Sequence, residues 1–200
     1  MDNVIKGDSF ENLVFNIISV ALKGNRLGLS PRQARLFRKK AYFSRDRQKN
    51  IIVDISIEVW LPKAKNYSLL WVCECKDYHS AIPVDDIEEF KAKLDQIAGK
   101  NIKGVFASRN ALQRGALEYA RSNGIGVVRV LPNNHVEWGC WGRVVVIKQS
   151  KAARTTSITL GLECQDYGEY GIHSRWLFAS YHGHLFDDWL SLLKYSLKKR

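Results

Sequence analysis

The chain has 200 residues, 46% of them hydrophobic, and its 31 Lys and Arg against 20 Asp and Glu leave a formal charge of +11. A chain of this length hides roughly 70% of its unfolded surface on folding, so the composition excludes disorder as the main state. No apolar run approaches the ~18 residues of a membrane span, and Asp2, Asp8 and Glu11 stand where a secretion signal needs a basic end and an apolar stretch; we expect a soluble, cytoplasmic protein without membrane contact.

Phe10, Leu13, Val14, Ile17, Ile18, Ala21 and Leu22 recur at helical spacing, which predicts an amphipathic helix over 9–23 with Asp8 as its cap and Gly24 near its end. The segments 34–44 and 51–60 are rich in β-branched and aromatic residues and predict an antiparallel pair around SRDRQKN, with a third strand at 68–76. Val84, Ile87, Phe90, Leu94 and Ile97 then predict a helix closed by Gly99, and IKGVFAS (102–108) a strand. Asn110 with Gln113 resembles a capping box for a helix over 111–122, and the run after Gly126 reads as a buried strand. The order β-α-β-α-β over 68–131 implies parallel crossovers and an α/β fold. Beyond Pro132 we expect strands at 143–149 and 156–163 and a helix over 184–197. The simplest division is one domain over 1–131 and a small C-terminal extension over 132–200, and the abrupt end at KKR is also compatible with a fragment of a longer protein that has further domains.

Charge is uneven along the chain. Residues 1–50 carry 11 basic and 4 acidic groups, whereas 51–100 carry 6 and 9. Nine of the basic residues lie between Arg26 and Lys49, among them Arg38, Lys39, Lys40, Arg45 and Arg47, with Asp46 as the one acid. A polyanion suits such a segment, and a solvated strand and turn is the plain alternative. The cysteines Cys73, Cys75, Cys140 and Cys164 form no CxxC pair, so we read them as free thiols in a reducing cytoplasm.

Alternation along the second strand puts Val53, Ile55, Ile57 and Val59 on one face and Asp54, Ser56 and Glu58 on the other. In the third strand Glu74 and Lys76 share a face with Leu70 and Val72. Charged residues at the end of an apolar strand need partners, and Asp54 is the neighbour at hand. Two carboxylates and an ammonium would then share one pocket, where a hard divalent cation, Mg²⁺ or Mn²⁺, would hold the acids together. A structural ion-pair cluster is the other reading. Glu11 leans toward the packed side of the first helix; it is either a fourth member of the site or a capping group reaching back to Asp8.

The order Glu11, Asp54 and Glu74-Cys75-Lys76, set on helix-strand-strand-strand-helix-strand, resembles the PD-(D/E)xK nuclease superfamily and within it the Mrr-type restriction endonuclease domains. The similarity runs over roughly 5–131, from GDSFENLVFNII through VDISIEV and CECKDY to VFASRNALQRGALEYARSNGIGVV. Val53 stands where the motif's name has Pro, and Glu74 where Mrr-type domains often have Gln. The resemblance implies a restriction-endonuclease-like α-β-β-β-α-β core with a mixed sheet flanked by helices. It implies that Asp54, Glu74 and the Cys75 carbonyl hold Mg²⁺, that Lys76 orients or deprotonates a water or neutralises charge, and that Glu11 is a supporting acid. Arg109, with Ser108, could meet backbone phosphates.

The expected activity is a Mg²⁺-dependent endonuclease acting on DNA, with duplex the expected form, and the resemblance implies a role in restriction or phage defence. A non-cleaving nucleic-acid-binding module and an interaction domain of a larger chain are the alternatives. HExxH, GxxxxGK[ST] and GxSxG are all missing, and His173, His182 and His184 near Cys164 match no four-ligand zinc spacing. Cutting both strands needs two centres, hence an expected homodimer, with Leu185, Trp189, Leu193 and Leu197 of the last helix as its candidate interface.

Overall fold

Strands β1 (Ala34–Ser44) and β2 (Lys49–Val59) pair antiparallel across the turn at 45–48, and β3 (Leu69–Lys76) pairs antiparallel with β2. Two crossovers follow. Helix α2 (Val84–Ile97) leads to β4 (Ile102–Ser108) and helix α3 (Arg114–Ser122) to β5 (Gly126–Val130), both parallel to their predecessors, as the β-α-β-α-β pattern predicts. The computed structural model describes residues 2–27, 29, 32–97, 101–131, 151–164 and 177–197.

The sheet does not stop at β5. The antiparallel strands β6 (Leu177–Tyr181) and β7 (His184–Phe186) continue it, giving seven strands in the order β1-β2-β3-β4-β5-β6-β7. Their hairpin turns on His182 and Gly183, both at positive φ (48° and 75°), the left-handed pair that a two-residue turn between twisted strands requires. Apolar side chains fill both faces. Helices α1 (Asp2–Lys23) and α5 (Trp189–Leu197) cover Ile55, Ile57, Trp71, Cys73, Val105 and Val128. On the other face α2, α3 and α4 (Lys151–Glu163) cover Leu70, Val72, Phe106, Val127 and Phe178. The fold is a mixed α/β sheet flanked by helices. No helix among the described residues is long and apolar enough to cross a membrane.

Five expectations are corrected. Helix α1 begins at Asp2, so Asp8 lies within it and is no cap. The Asn110–Gln113 capping box does not form: Leu112 makes a bridge to Ile82, the Gln113 side chain caps nothing, and α3 starts only at Arg114. The segment 156–163 is helix, not strand, because Ile158 and Leu162, one turn apart, are buried in the core while Thr159 bonds back to the Thr155 carbonyl. His184–Phe186, taken as the start of the last helix, is strand β7. Finally, Trp189, Leu193 and Leu197 of α5 are buried in this chain's own core, and Trp71 Nε1 donates to Ser196 Oγ at 3.0 Å, so that side is not free to pair with a second copy. The expected strand at 143–149, Cys140 and His173 lie outside the described residues.

Arg129 joins α4 to the sheet. Its guanidinium, on a side chain only 1% exposed, donates to the carbonyls of Gly161 (2.8 Å) and Cys164 at the C-terminal end of α4 and to that of Arg109. These are carbonyls with no intrahelical donor, at the end of the helix that favours a cation. Gly161 is required there because any Cβ would run into the Phe178 ring. We expect Arg129→Met to destabilise the protein by about 3 kcal/mol, since it orphans buried carbonyls. Urea denaturation should show Arg121→Met, on the exposed side of α3, within about 0.5 kcal/mol of the parent chain; equal midpoints for the two variants would refute the assignment.

Candidate active site

The β2–β3 ladder ends at the pair Ile55–Cys73. One residue further, the Asp54 side chain takes the place of a strand partner, its Oδ2 accepting the Cys75 N–H at 2.8 Å. In a strand the N–H and C=O of one residue project to the same side, so the Cys75 carbonyl also points toward Asp54 and away from β4.

The alternation expected for β2 breaks at this point. Ile55 and Ile57 pack on the α1 side, whereas Ile51 and Val53 pack on the α2 side, although strict alternation would keep all four together. The cause lies across the ladder, where Lys39 adopts a left-handed backbone (φ 48°) between the pairs Arg38–Ile55 and Lys40–Val53. Both strands change face there. As a result the consecutive side chains of Arg38 and Lys39 both reach α1: Arg38 Nη2 lies 3.2 Å and Lys39 Nζ 3.3 Å from Glu11 Oε2, and both also meet Asp8. Glu11 is thus a buried mid-helix acid clamped by two cations, and the capping alternative is excluded.

Glu74 and Lys76 do face the same side, toward α2, but Asp54 is not their salt-bridge partner. Lys93 Nζ lies 2.8 Å from Glu74 Oε1, and Lys76 Nζ lies 3.6 Å from Asp86 Oδ1. Lys93 and Asp86 escaped the sequence reading. Both sit in the helix directly after the ExK strand, where the sequence alone does not set them apart from solvated residues.

Asp54 is the electrostatic centre of the site. Burial raises its carboxyl to about 7, reinforced by the Glu74 charge and by a hydrogen bond with Glu11, and only partly offset by the Cys75 N–H. For Lys76, burial works against the charged form, but Tyr78, Glu74 and Asp86 outweigh it and hold the amine above its ordinary value. Lys76 is therefore an ammonium at neutral pH. The Cys75 thiol is pushed well up by its hydrogen bond with Cys73 and by burial, so this residue offers its carbonyl and not a thiolate.

The donor chemistry fits a hard divalent cation: Asp54 and Glu74 carboxylates, a strand-end carbonyl aimed the same way, and an acid raised because its neighbours are acids. Among the described residues, however, no group of three or more His, Cys, Asp or Glu is already gathered for a metal. Glu74 is instead paired with the Lys93 ammonium.

The expected phosphate contacts divide. Lys40 pairs with buried Glu58 at 2.6 Å and lies over the Phe37 ring, which commits it to the fold. Arg38 and Lys39 are held by Glu11 and Asp8, as above. Arg45 is exposed at the turn, and Arg47 beside it donates to Gln96 Oε1 at 2.6 Å. Arg109 lies 3.3 Å from Asp77 Oδ2 and stacks over Phe10, while Ser108 Oγ donates to the Asn110 carbonyl. His182 and His184 flank a hairpin turn against Tyr181 and Tyr195.

Asp54 in the middle of β2, the Glu74-Cys75-Lys76 end of β3 and Glu11 of α1 thus lie together where the β2–β3 ladder stops. The family model described as restriction endonuclease, Mrr_cat, matches residues 32–131, half of the chain, and the chain belongs to that family. The match includes Asp54, Glu74 and Lys76 and begins after Glu11. No curated protein matches the chain. Among solved structures it is similar to AF1548, described as a protein of unknown function, with 13% identity, 74% of this chain and 78% of that chain covered, and a TM-score of 0.41. It is also similar to a repair endonuclease from Pyrococcus abyssi, with 20% identity, 56% and 46% coverage and a TM-score of 0.36.

The raised Asp54 carboxyl has a signed consequence for stability. In chelator the folded chain keeps the Asp54 proton up to about pH 7, whereas the unfolded chain releases it near 3.8. Between those values the folded state binds more protons, so stability is greatest on the acid side and falls as pH rises. Urea denaturation at several pH values should show Asp54→Asn removing a decline on the order of 4 kcal/mol. The same pH slope in both proteins would defeat the assignment.

Proposed function

We propose that this member of the restriction endonuclease family hydrolyses DNA phosphodiester bonds as a divalent-cation-dependent endonuclease. The observation that carries the reading is that Asp54, Glu74 and Lys76 lie together where the β2–β3 ladder ends, with the Glu74 and Glu11 carboxylates both acting on Asp54.

Asp54, Glu74 and the Cys75 carbonyl would hold Mg²⁺, with Mn²⁺ as a substitute. When bound, such an ion supplies Lewis-acid activation of the phosphodiester and makes water a better nucleophile. Asp54 gives up its proton and Glu74 leaves Lys93 to form the site. Lys76, protonated, donates to the scissile phosphate and offsets the charge that grows on its oxygens. Arg38 and Lys39 hold Glu11 beside Asp54, where it supports the site as a second acid.

We take 1–131 as the nuclease unit and 132–200 as an extension of it, acting in the reducing cytoplasm; Cys73, Cys75 and Cys164 are free thiols. Restriction of foreign or modified DNA suits the family. One centre cuts one strand at a time, so a double-strand break requires a two-fold pair of chains built on a surface other than the buried side of α5.

Plasmid cleavage with Mg²⁺ and with chelator tests the reading. Asp54→Ala, Glu74→Ala and Lys76→Ala should each lose at least about 100-fold in rate, and the Asp54→Ala/Lys76→Ala pair little more than either alone, because the groups act as a unit. Glu11→Gln should lower activity and, because it loosens the clamp of Arg38 and Lys39, also lower stability, whereas a change in stability alone would leave Glu11 a structural acid. Cleavage that persists in chelator removes the cation, and robust cleavage by Lys76→Ala removes the lysine.

A further inference from the structure

The far end of the β1–β2 hairpin carries a feature that the catalytic site does not use. On one face Tyr42 and Ile51 are buried in the core with Leu94 and Ile97 of α2, and Arg47 is tied to Gln96, so the hairpin is braced from that side. Among the described residues the opposite face has no such cover. Phe43 is 56% and Ile52 61% exposed, and the register Phe43–Asn50 and Ala41–Ile52 makes them diagonal neighbours on that face. Large apolar side chains at the tip of a rigid hairpin are unfavourable in water without a ligand.

Position and charge identify the ligand. The bare face lies on the same side as Lys39, which pairs with Glu11, so it continues directly from the acid end of the site. Asn50, the partner of Phe43, is four residues from Asp54, about 13 Å at strand rise, or roughly four base-pair steps of duplex. Arg45, next along the chain after Ser44, and Lys49, on the opposite pleat from Phe43 and Ile52, are both exposed at the end of the hairpin, with Asp46 as the acid of the turn. An apolar pair beside exposed cations at a hairpin tip suits a polyanion that also offers apolar surface, which describes the stacked bases inside the phosphate backbones of DNA.

We propose that the β1–β2 hairpin is a DNA-engaging arm: Phe43 and Ile52 press on the base step several pairs from the scissile phosphate, while Arg45 and Lys49 meet the flanking phosphates. This rests on the reading of the protein as a DNA nuclease and adds where, and by which side chains, duplex is gripped. The arm sets affinity and the distortion of the duplex and leaves the chemical step alone.

The test measures binding of the full chain to a 30-base-pair duplex by fluorescence anisotropy in chelator over a range of salt. Phe43→Ser with Ile52→Ser should weaken binding at least tenfold at every salt concentration with the log-log salt slope unchanged, because apolar contacts release no counterions. Arg45→Gln with Lys49→Gln should instead flatten the slope by up to ~1.8. Phe43→Trp should retain binding, and its indole emission should be quenched on duplex. Mg²⁺-dependent hydrolysis of bis(p-nitrophenyl) phosphate should be the same in all of these variants. That small diester reports the nuclease reading separately, since its hydrolysis can fail while the arm still binds. Unchanged duplex affinity in the Phe43/Ile52 variant overturns the arm, as does a loss seen only with single-stranded DNA. A shift from dimer to monomer on sedimentation with DNA affinity intact also overturns it, by assigning the face to a second copy of the chain.

Discussion

The left-handed backbone of Lys39 is the local constraint on which the geometry of the site depends. A non-glycine residue held there costs on the order of 1 kcal/mol and persists only where surrounding contacts over-determine it. Here the compensation is visible: the turn in the strand sends both Arg38 and Lys39 toward α1, where they neutralise Asp8 and buried Glu11. A regular strand would point one of the two away. The same turn rotates β2 so that Ile51 and Val53 move to the α2 face, and Asp54 falls at the change of face. Released from the ladder, its carboxylate satisfies the Cys75 N–H that β2 no longer reaches.

The other buried carboxylates on and around this sheet are each met by a cation from another element. Glu58 has Lys40, Glu11 has Arg38 and Lys39, and Glu74 has Lys93. Asp54 differs, since among the described residues it has no salt bridge and leans on one backbone N–H and on Glu11. Electrostatic strain is thereby concentrated on a single carboxyl, at the place where a dication would relieve it most. The Lys93–Glu74 pair is the complementary device, in that it neutralises the second carboxylate; under the proposed function an ammonium and a dication would compete for its oxygens.

How much of this was legible in the sequence follows from the range of the forces involved. Strand and helix identity through residue 130 is local: β-branched runs and three-four spacing announce β1 to β5 and α2, and the acid-acid-lysine order names Asp54, Glu74 and Lys76. The face change at Lys39 is not local, because it is stabilised by acids some thirty positions away on α1. Strict alternation therefore misplaced Val53. Lys93 was missed for a similar reason, as a lysine in an amphipathic helix resembles any solvated residue until the strand beneath it is known. At 156–163 the alternation of Ile158, Leu160 and Leu162 imitated a strand, and tertiary packing of Ile158 and Leu162 beside Phe178 decided for helix.

The residues after 150 bear on the site as well, through the strand that carries it. Trp71 is in β3, five residues before Lys76, and is fully buried under α5 with its indole N–H on Ser196. Its neighbours Ile57 and Val105 are also fully buried on that face. Beyond β4, β5 is paired by β6 and tied through Arg129 to the end of α4, while Arg109 N–H meets the Lys76 carbonyl at 3.3 Å. Strands β3, β4 and β5 are thus each held from both sides, which restrains the end of β3 through its pairing with β4. A site in which an ammonium, two buried acids and a carbonyl must converge tolerates displacements of only about half an ångström. The later elements therefore bear on the proposed chemistry from a distance: they fix the strand on which Glu74 and Lys76 stand.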